Sequence, residues 1–273
     1  GPGAGRVDRP ARWGLKRFRY KVLGEAVLLK LRPGDDVEEA LSFVESRHPR
    51  ARWVLAYEGV WGPLRKPRVR LLKGEEPVVT VYREGGVEYE LDAASLMLSL
   101  GNKFERLRMA ATVRSWETVV DMFAGVGQFT VPIAVHARPV RVHSIELNPE
   151  AYEFLVRNVR RNRVEGVVVP YLGDCREVTS ELGQVADRVI MGYFGGTLDF
   201  LHHALSVLRA GGGVIHVHEV VRSGELEAFA GQVVRRANEL GYRAVPVWIR
   251  TVKTYSPDEV HVVVDVFAVR SRR

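Results

Sequence analysis

Three acidic residues follow short apolar runs, at points where strands are expected to end. Asp121 opens the run DMFAGVG that leads into QFTVPIAVH, Glu146 ends VRVHSIE, and Asp174 follows VVVPYLG. Gly125 and Gly127 in the first run allow the backbone to pass close to a ligand and to turn sharply into a helix. Because parallel strands present their carboxyl ends at one sheet edge, these residues predict a single ligand site.

The spacing distinguishes between two cofactors that use such a turn. Glu146 lies about 20 residues after Gly127, where a carboxylate can accept hydrogen bonds from both ribose hydroxyls of a dinucleotide or of S-adenosylmethionine. A dinucleotide pattern has a third glycine three residues after the second, but this chain has Thr130 there. Three acids would also repel a pyrophosphate, whereas they suit a cationic sulfonium and an α-amino group. The pattern favours S-adenosylmethionine; a set of helix caps and solvated loop acids is the alternative interpretation.

From about residue 101 onwards, predicted strands alternate with predicted helices. The predicted strands cover residues 118–123, 140–146, 166–172, 188–191 and 213–217, and the helices 102–114, 149–162, 198–209 and 224–240. This alternation predicts an α/β fold with a Rossmann-like, mostly parallel sheet covered on both faces. Residues 244–250 and 260–269 are two more strands joined by the polar stretch TVKTYSPDE, which predicts an antiparallel last strand.

The first part of the chain predicts a small α+β unit. Its predicted elements are strands at 25–31 and 53–57, a helix at 35–46, and a hairpin of residues 77–82 and 87–91 around Gly85-Gly86. The basic stretch GPLRKPRVRLLK, residues 62–73, is predicted to connect these parts. We therefore divide the chain into a mobile segment 1–14, a basic α+β domain 15–100 and a cofactor-binding catalytic domain 101–273.

The positive charge is confined to the first part. The chain of 273 residues has a net charge of +7, of which residues 1–75 contribute +8 and residues 76–273 contribute −1. Clusters such as residues 16–21 and 65–73 form the kind of surface that binds nucleic acid phosphates. A solvated basic face in an arginine-rich protein is the alternative, since the chain has 33 Arg and 7 Lys. That bias also leans towards a heat-adapted source.

Several classes of protein are excluded or disfavoured. No apolar run approaches the ~18–20 residues that cross a bilayer, so no membrane partner is expected. The single cysteine, Cys175, excludes a disulfide framework. His216 and His218 share a strand face without a third ligand at metal spacing, so no metal site is predicted. We expect a cytoplasmic protein.

Six runs taken together resemble a known family. They are LSLGNKFERLRMA, VVDMFAGVGQFTVPIAV, IELNPEAYEFLVRNVRRN, GDCREV, ADRVIMGYF and YSPDEVHVVVDVF. From about residue 19 to 267 the chain is similar to class I S-adenosylmethionine enzymes that modify the purine 3′ of a tRNA anticodon. One branch methylates N1 of the guanosine and carries Asn-Leu-Pro at the end of the fourth strand. The other, the wybutosine-synthesis aminocarboxypropyltransferases, carries Met-Gly-Tyr, as this chain does at Met191-Gly192-Tyr193.

The resemblance implies an activity and a partner. The 3-amino-3-carboxypropyl group of S-adenosylmethionine moves to a ring carbon of a wyosine precursor in hypomodified tRNA(Phe), which releases methylthioadenosine, and the protein is expected to act as a monomer. Guanosine-N1 methylation on the same fold is the alternative, and it would release S-adenosylhomocysteine instead. A tRNA-binding module with a vestigial cofactor pocket is a third hypothesis.

The resemblance also implies site residues. The predicted cofactor contacts are Asp121, Phe123, Gly125, Gly127, Glu146, Leu147, Asn148, Asp174, Cys175, Met191, Gly192 and Tyr193. The predicted RNA contacts are Arg65, Lys66, Arg68 and Arg70. The family motif Phe-Ser-x-x-Asn-x-x-Glu-Arg is matched by four residues predicted to be catalytic, namely Ser99, Asn102, Glu105 and Arg106.

The match to that motif is incomplete. Leu98 replaces the motif's aromatic residue, and Phe104 replaces a family lysine just before the glutamate, with Lys103 one position earlier. Glu105 is predicted to act as a general base, and a salt bridge on the helix surface with Arg108 or Arg106 is the alternative.

Overall fold

The computed structural model describes residues 18–62 and 66–271 of the chain, which form an α/β architecture. The strands are β1 Arg19–Leu23, β2 Ala26–Lys30, β3 Trp53–Trp61, β4 Lys66–Lys73, β5 Val79–Glu84, β6 Val87–Asp92, β7 Thr118–Asp121, β8 Arg141–Glu146, β9 Val168–Leu172, β10 Arg188–Met191, β11 Gly213–Arg222, β12 Tyr242–Ser256 and β13 Glu259–Arg270. The α-helices are α1 Val37–Arg47, α2 Lys103–Thr112, α3 Thr130–His136, α4 Pro149–Arg161, α5 Cys175–Leu182, α6 Leu201–Ser206 and α7 Leu226–Glu239. The predicted mobile segment 1–14 lies outside the described residues.

The N-terminal part contains a four-stranded sheet in the order β1-β2-β3-β4. Helix α1 connects the parallel pair β2 and β3, and Asp36 caps it by accepting a hydrogen bond from the Glu39 amide at 2.8 Å. The prediction of a connector over residues 62–73 is wrong, because Lys66–Lys73 is strand β4. Its Val69 and Leu71 pack on an apolar cluster, and pairing with β3 satisfies its backbone.

The hairpin of β5 and β6 forms where predicted, with the turn at Gly85-Gly86, but as a separate two-stranded sheet. Asn158 of α4 and Asn162, the residue that follows the helix, attach it to the rest of the molecule. Asn158 and Asn162 each accept from a β6 amide and donate to the carbonyl of the same residue, Glu90 and Glu88 respectively. The side chains thereby replace a neighbouring strand for β6, and the hairpin packs against the large sheet's helices. The predicted domain boundary near residue 100 stays a prediction.

The large sheet has seven strands in the order β12-β13-β11-β10-β7-β8-β9. The five strands from β11 to β9 are parallel to one another, and β13 runs antiparallel between β11 and β12. The predicted fold class is thus confirmed, including the antiparallel strand. Strand β12 continues to Ser256, beyond the predicted end at residue 250, so most of the polar stretch TVKTYSPDE lies within the sheet.

Within the described ranges, no helix is long and apolar enough to span a bilayer.

Candidate functional site

A cavity of about 780 Å³ lies between the carboxyl ends of the parallel strands and the N-terminal sheet. Eleven of the predicted catalytic and cofactor-binding residues line it: Ser99, Asn102, Phe123, Gly125, Glu146, Leu147, Asn148, Asp174, Cys175, Gly192 and Tyr193. The other five do not line the cavity and are buried: Glu105, Arg106, Asp121, Gly127 and Met191. The volume falls in the range of about 300–1,000 Å³ that is typical of small-molecule sites.

The glycine turn after β7 forms one wall of the cavity and is packed tightly from behind. Gly127 has a φ of +97°, and a Cβ there would lie 2.7 Å from Cγ2 of Val131 and 3.2 Å from Cδ1 of Leu155. Asp121 is fully buried and accepts hydrogen bonds from the Thr130 hydroxyl at 2.8 Å and the Phe123 amide at 3.4 Å. Burial raises the pKa of Asp121 to about 6. Asp121 therefore holds the turn in place.

Glu146 connects this turn to the end of β8. Its two carboxylate oxygens accept hydrogen bonds from the Gly125 amide at 2.6 Å and the Asn148 amide at 2.7 Å. Burial raises the pKa of Glu146 although these amides favour the charged form. Each oxygen retains a lone pair, so the carboxylate can also accept from a ligand hydroxyl.

The end of β9 supplies a capped helix and an unreactive thiol. Asp174 caps α5 through the Arg176 amide at 2.9 Å and pairs with the Arg176 guanidinium at 2.5 Å. Hydrogen bonds from Arg176 lower the pKa of Asp174. Burial raises the pKa of Cys175 to about 12, so it is a neutral thiol and not a nucleophile.

Aromatic side chains cover the end of β10. Phe123 and Tyr193 stack with ring centroids 5.0 Å apart, and Phe200 meets both edge-on. Met191, in contrast, is fully buried in the core cluster of the large sheet. This strand end therefore presents no side-chain amide to the cavity.

Helix α2 buries the motif residues in ion pairs. Arg106 donates to both oxygens of Glu84 at 2.9 and 3.0 Å and to the Ser99 carbonyl at 2.6 Å. Glu105 has no exposed surface and accepts from Arg108 at 2.7 and 3.0 Å. Arg108 is the partner named in the alternative interpretation of Glu105, but the ion pair is buried and not on the helix surface. The general-base role stays a prediction.

A buried polar network continues from Arg108 into the sheet. Arg108 donates to Asp265 at 2.5 Å, and Nδ1 of His216 lies 2.6 Å from Asp265. Arg188 lies 2.7 Å from Nε2 of His216. Since a guanidinium only donates, Nε2 accepts, and the neutral ring donates through Nδ1. Burial lowers the pKa of His216, which agrees with this tautomer. His216 has a structural role here, and across residues 18–62 and 66–271 no cluster of His, Cys, Asp and Glu is arranged to hold a metal ion.

Basic residues reach the cavity from the N-terminal sheet. Lys21 of β1 and Lys30 of β2 line it. Lys66, Arg68 and Arg70 alternate along β4 and are exposed, so they share one face of that strand. Arg65 lies outside the described residues.

Sequence reasoning missed several residues that line the cavity, namely Gln128, Phe129, Phe194, Lys253 and Tyr255. Gln128 and Phe129 directly follow the glycine turn, which is a signal that could have identified them. Lys253 and Tyr255 lie in the polar stretch between the last two strands, and their approach to the site depends on how far β12 extends.

Comparisons with known proteins agree with this geometry. The family described as TRM5/TYW2 methyltransferase domain matches residues 80–244. The chain is 39% identical to the tRNA(Phe) (4-demethylwyosine(37)-C(7)) aminocarboxypropyltransferase of Methanocaldococcus jannaschii over 250 residues, 91% of this chain and 97% of that protein. It is 33% identical to the tRNA (guanine(37)-N(1))-methyltransferase Trm5b of Pyrococcus abyssi over 195 residues, 71% of this chain and 57% of that protein.

Solved structures show the same similarity over most of the chain. The Pyrococcus horikoshii TYW2 in complex with MeSAdo superposes with a TM-score of 0.80 and 34% identity, covering 93% of this chain and 91% of that one. The M. jannaschii TYW2 in complex with AdoMet gives a TM-score of 0.74 and 35% identity, covering 92% of this chain and all of that one. The protein is therefore a member of the TRM5/TYW2 family.

Proposed function

We propose that this protein is an S-adenosylmethionine-dependent tRNA aminocarboxypropyltransferase. It transfers the 3-amino-3-carboxypropyl group to C7 of 4-demethylwyosine in tRNA(Phe), 3′ of the anticodon, and it acts as a monomer. The relative that is 39% identical over 91% of this chain carries that activity in its name.

The observation that carries the choice of reaction is the end of β10. In the methylating branch this position carries an asparagine, whereas here Met191 is buried in the core. A methyltransferase acting on N1 of guanosine would lack its amide, but a reaction at a ring carbon does not require one.

The cavity fits S-adenosylmethionine. Glu146 and Asp174 line it with carboxylates that can accept from the ribose hydroxyls and the adenine amine. Asn102 has a buried Oδ1 without a hydrogen-bond partner, which is available to an ammonium donor. S-adenosylmethionine supplies a sulfonium with three electrophilic carbons. The carbon that reacts is the one held in line with the nucleophile at about 3–3.5 Å. The new carbon–carbon bond replaces the carbon–sulfur bond, the thioether leaves as methylthioadenosine, and the ring proton passes to a general base, the role predicted for Glu105. The protein's contribution is therefore largely placement.

The basic surface of the N-terminal sheet supports tRNA as the partner. Lys21 and Lys30 line the cavity mouth, and Lys66, Arg68 and Arg70 extend positive charge along β4. Phosphates bound at these residues would place an anticodon loop over the cavity.

The test is incubation of the purified protein with S-adenosylmethionine and hypomodified tRNA(Phe), followed by mass analysis of the nucleosides and of the by-product. We expect the aminocarboxypropyl adduct together with methylthioadenosine. A methylated guanosine with S-adenosylhomocysteine would instead establish the methyltransferase, the second candidate, which a 33% identical relative supports. If the protein binds tRNA but does not bind S-adenosylmethionine in calorimetry, it is instead a tRNA-binding module with a vestigial cofactor pocket.

A further inference from the structure

Lys253 approaches the cavity from β12, about 150 residues away along the chain from the α2 motif that it contacts. Its Nζ lies 2.7 Å from the Ser99 hydroxyl, and its side chain lines the cavity. Its aliphatic part lies over Gly101, where a Cβ would be 2.9 Å from Cδ and 3.2 Å from Nζ. The absence of a side chain at Gly101 therefore lets the lysine reach the Ser99 turn.

That turn is held firmly on both sides. The Ser99 amide donates to Oε1 of Gln128 at 3.1 Å, and its carbonyl accepts from Arg106 at 2.6 Å. Asn102 lies three residues further along the same short turn. It is 6% exposed, and its Oδ1 has no hydrogen-bond partner. The ammonium group of Lys253, which β12 supplies, thus meets a short turn that carries a buried acceptor at the cavity wall.

We propose that Lys253 binds the α-carboxylate of the transferred aminocarboxypropyl group, with Ser99 as a second donor, while Oδ1 of Asn102 accepts from the α-ammonium. This inference rests on the proposed function and names the residue that orients the group to be transferred. A phosphate would satisfy a cation but offers no donor to Asn102. An amino-acid zwitterion satisfies both groups at once.

The other basic residues that line the cavity within residues 18–62 and 66–271 are differently placed. Arg176 lies on α5, at the end of β9, and Lys21 and Lys30 are exposed on the N-terminal sheet. Lys253 is half-buried against Ser99 and Gly101, where a carboxylate contact is screened less by water.

The test compares ligands that differ in the group Lys253 is expected to bind. Calorimetry with S-adenosylmethionine, its decarboxylated form and methylthioadenosine is carried out on the wild type and on Lys253→Met. We expect the variant to bind S-adenosylmethionine about tenfold to a hundredfold more weakly, as for a lost charged hydrogen bond. We expect unchanged binding of methylthioadenosine, and a preference for S-adenosylmethionine over its decarboxylated form that is much smaller in the variant than in the wild type, because only the Ser99 hydroxyl still contacts the carboxylate.

Two further variants distinguish the loss of the Lys253–carboxylate contact from a general disturbance of the structure. Gly101→Ala should displace the lysine while keeping its charge, so it should weaken S-adenosylmethionine binding several-fold and leave methylthioadenosine unaffected. Lys103→Met removes the same charge from an exposed position at the start of α2 that does not line the cavity, and should have no effect.

The remaining outcomes would overturn the inference. One such outcome is that Lys253→Met binds all three ligands equally more weakly than the wild type does. The others are that this variant binds S-adenosylmethionine as the wild type does, or that it loses affinity for tRNA alone. The readout is binding, so it is independent of which product forms on tRNA. A wild type that binds S-adenosylmethionine but makes no aminocarboxypropyl adduct would refute the proposed function and leave the role of Lys253 to the binding data.

Discussion

Glu146 provides the sharpest test of how the cavity is assembled, because one isosteric change removes a single hydrogen bond. In Glu146→Gln the side-chain oxygen can still accept from one of the two amides, Gly125 or Asn148, which the carboxylate now binds at 2.6 and 2.7 Å. The new amide nitrogen faces the other N–H, donor against donor. The loop therefore loses one hydrogen bond outright, and the one that remains is no longer made to a charged group.

The expected decrease in the unfolding free energy follows from the loss of that hydrogen bond. A hydrogen bond to a charged group contributes about 1.5–3 kcal/mol, so the ligand-free variant should unfold at lower denaturant concentration by that free energy. In a thermal scan this corresponds to roughly 3–12 °C, at about 2–4 °C per kcal/mol for a chain of this size class. Affinity for methylthioadenosine should fall by about tenfold to a hundredfold or more, since Glu146 also lines the cavity.

The assay is chemical denaturation of the ligand-free protein together with calorimetric titration of methylthioadenosine. Glu153→Gln is the matched control, because Glu153 is an exposed carboxylate on the neighbouring helix α4. An unchanged unfolding midpoint in Glu146→Gln, or the same loss in Glu153→Gln, would refute the role of this carboxylate in holding the turn.

Three further predictions follow from other buried or charged groups. The folded pKa of Asp121 is raised to about 6 from 3.8, so its contribution to stability is present below pH 3.8 and lost as the pH rises through 6. In urea unfolding we expect the unfolding free energy of Asp121→Asn to gain about 2.4 kcal/mol relative to that of the wild type between pH 4 and 7. Plots of stability against pH that run parallel for the two proteins would contradict this. Arg106→Met leaves Glu84 buried without its cation and should cost about 3–5 kcal/mol of unfolding free energy, of which a second change, Glu84→Gln, should restore a part. Arg68→Ala and Arg70→Ala should each reduce the salt dependence of tRNA binding by about one unit of log–log slope, and an unchanged slope would remove β4 from the RNA surface.

Local features of the chain could be predicted from the sequence. The apolar runs of β7 and β8, the glycine turn and the capped helix α4 depend on neighbouring residues, so their position and type are encoded within short windows. The acids at the strand ends and the charge of the first 75 residues likewise need no knowledge of packing. These features were sufficient for the fold class and the cofactor.

The roles of individual side chains depended on contacts between distant segments. Nothing near Glu105 indicates that Asp265, on the last strand, would share its arginine. The basic residues of 62–73 favour the prediction of a connector because they hide the alternating pattern of β4, which becomes visible only when β3 pairs with it. Lys253 meets Ser99 because β12 extends past its predicted end. Sequence patterns report which residues lie on one face of an element, but the close approach of two elements is set by packing across the whole sheet. The sequence by itself therefore determined which elements surround the cavity, and the tertiary structure decided which of their side chains face it.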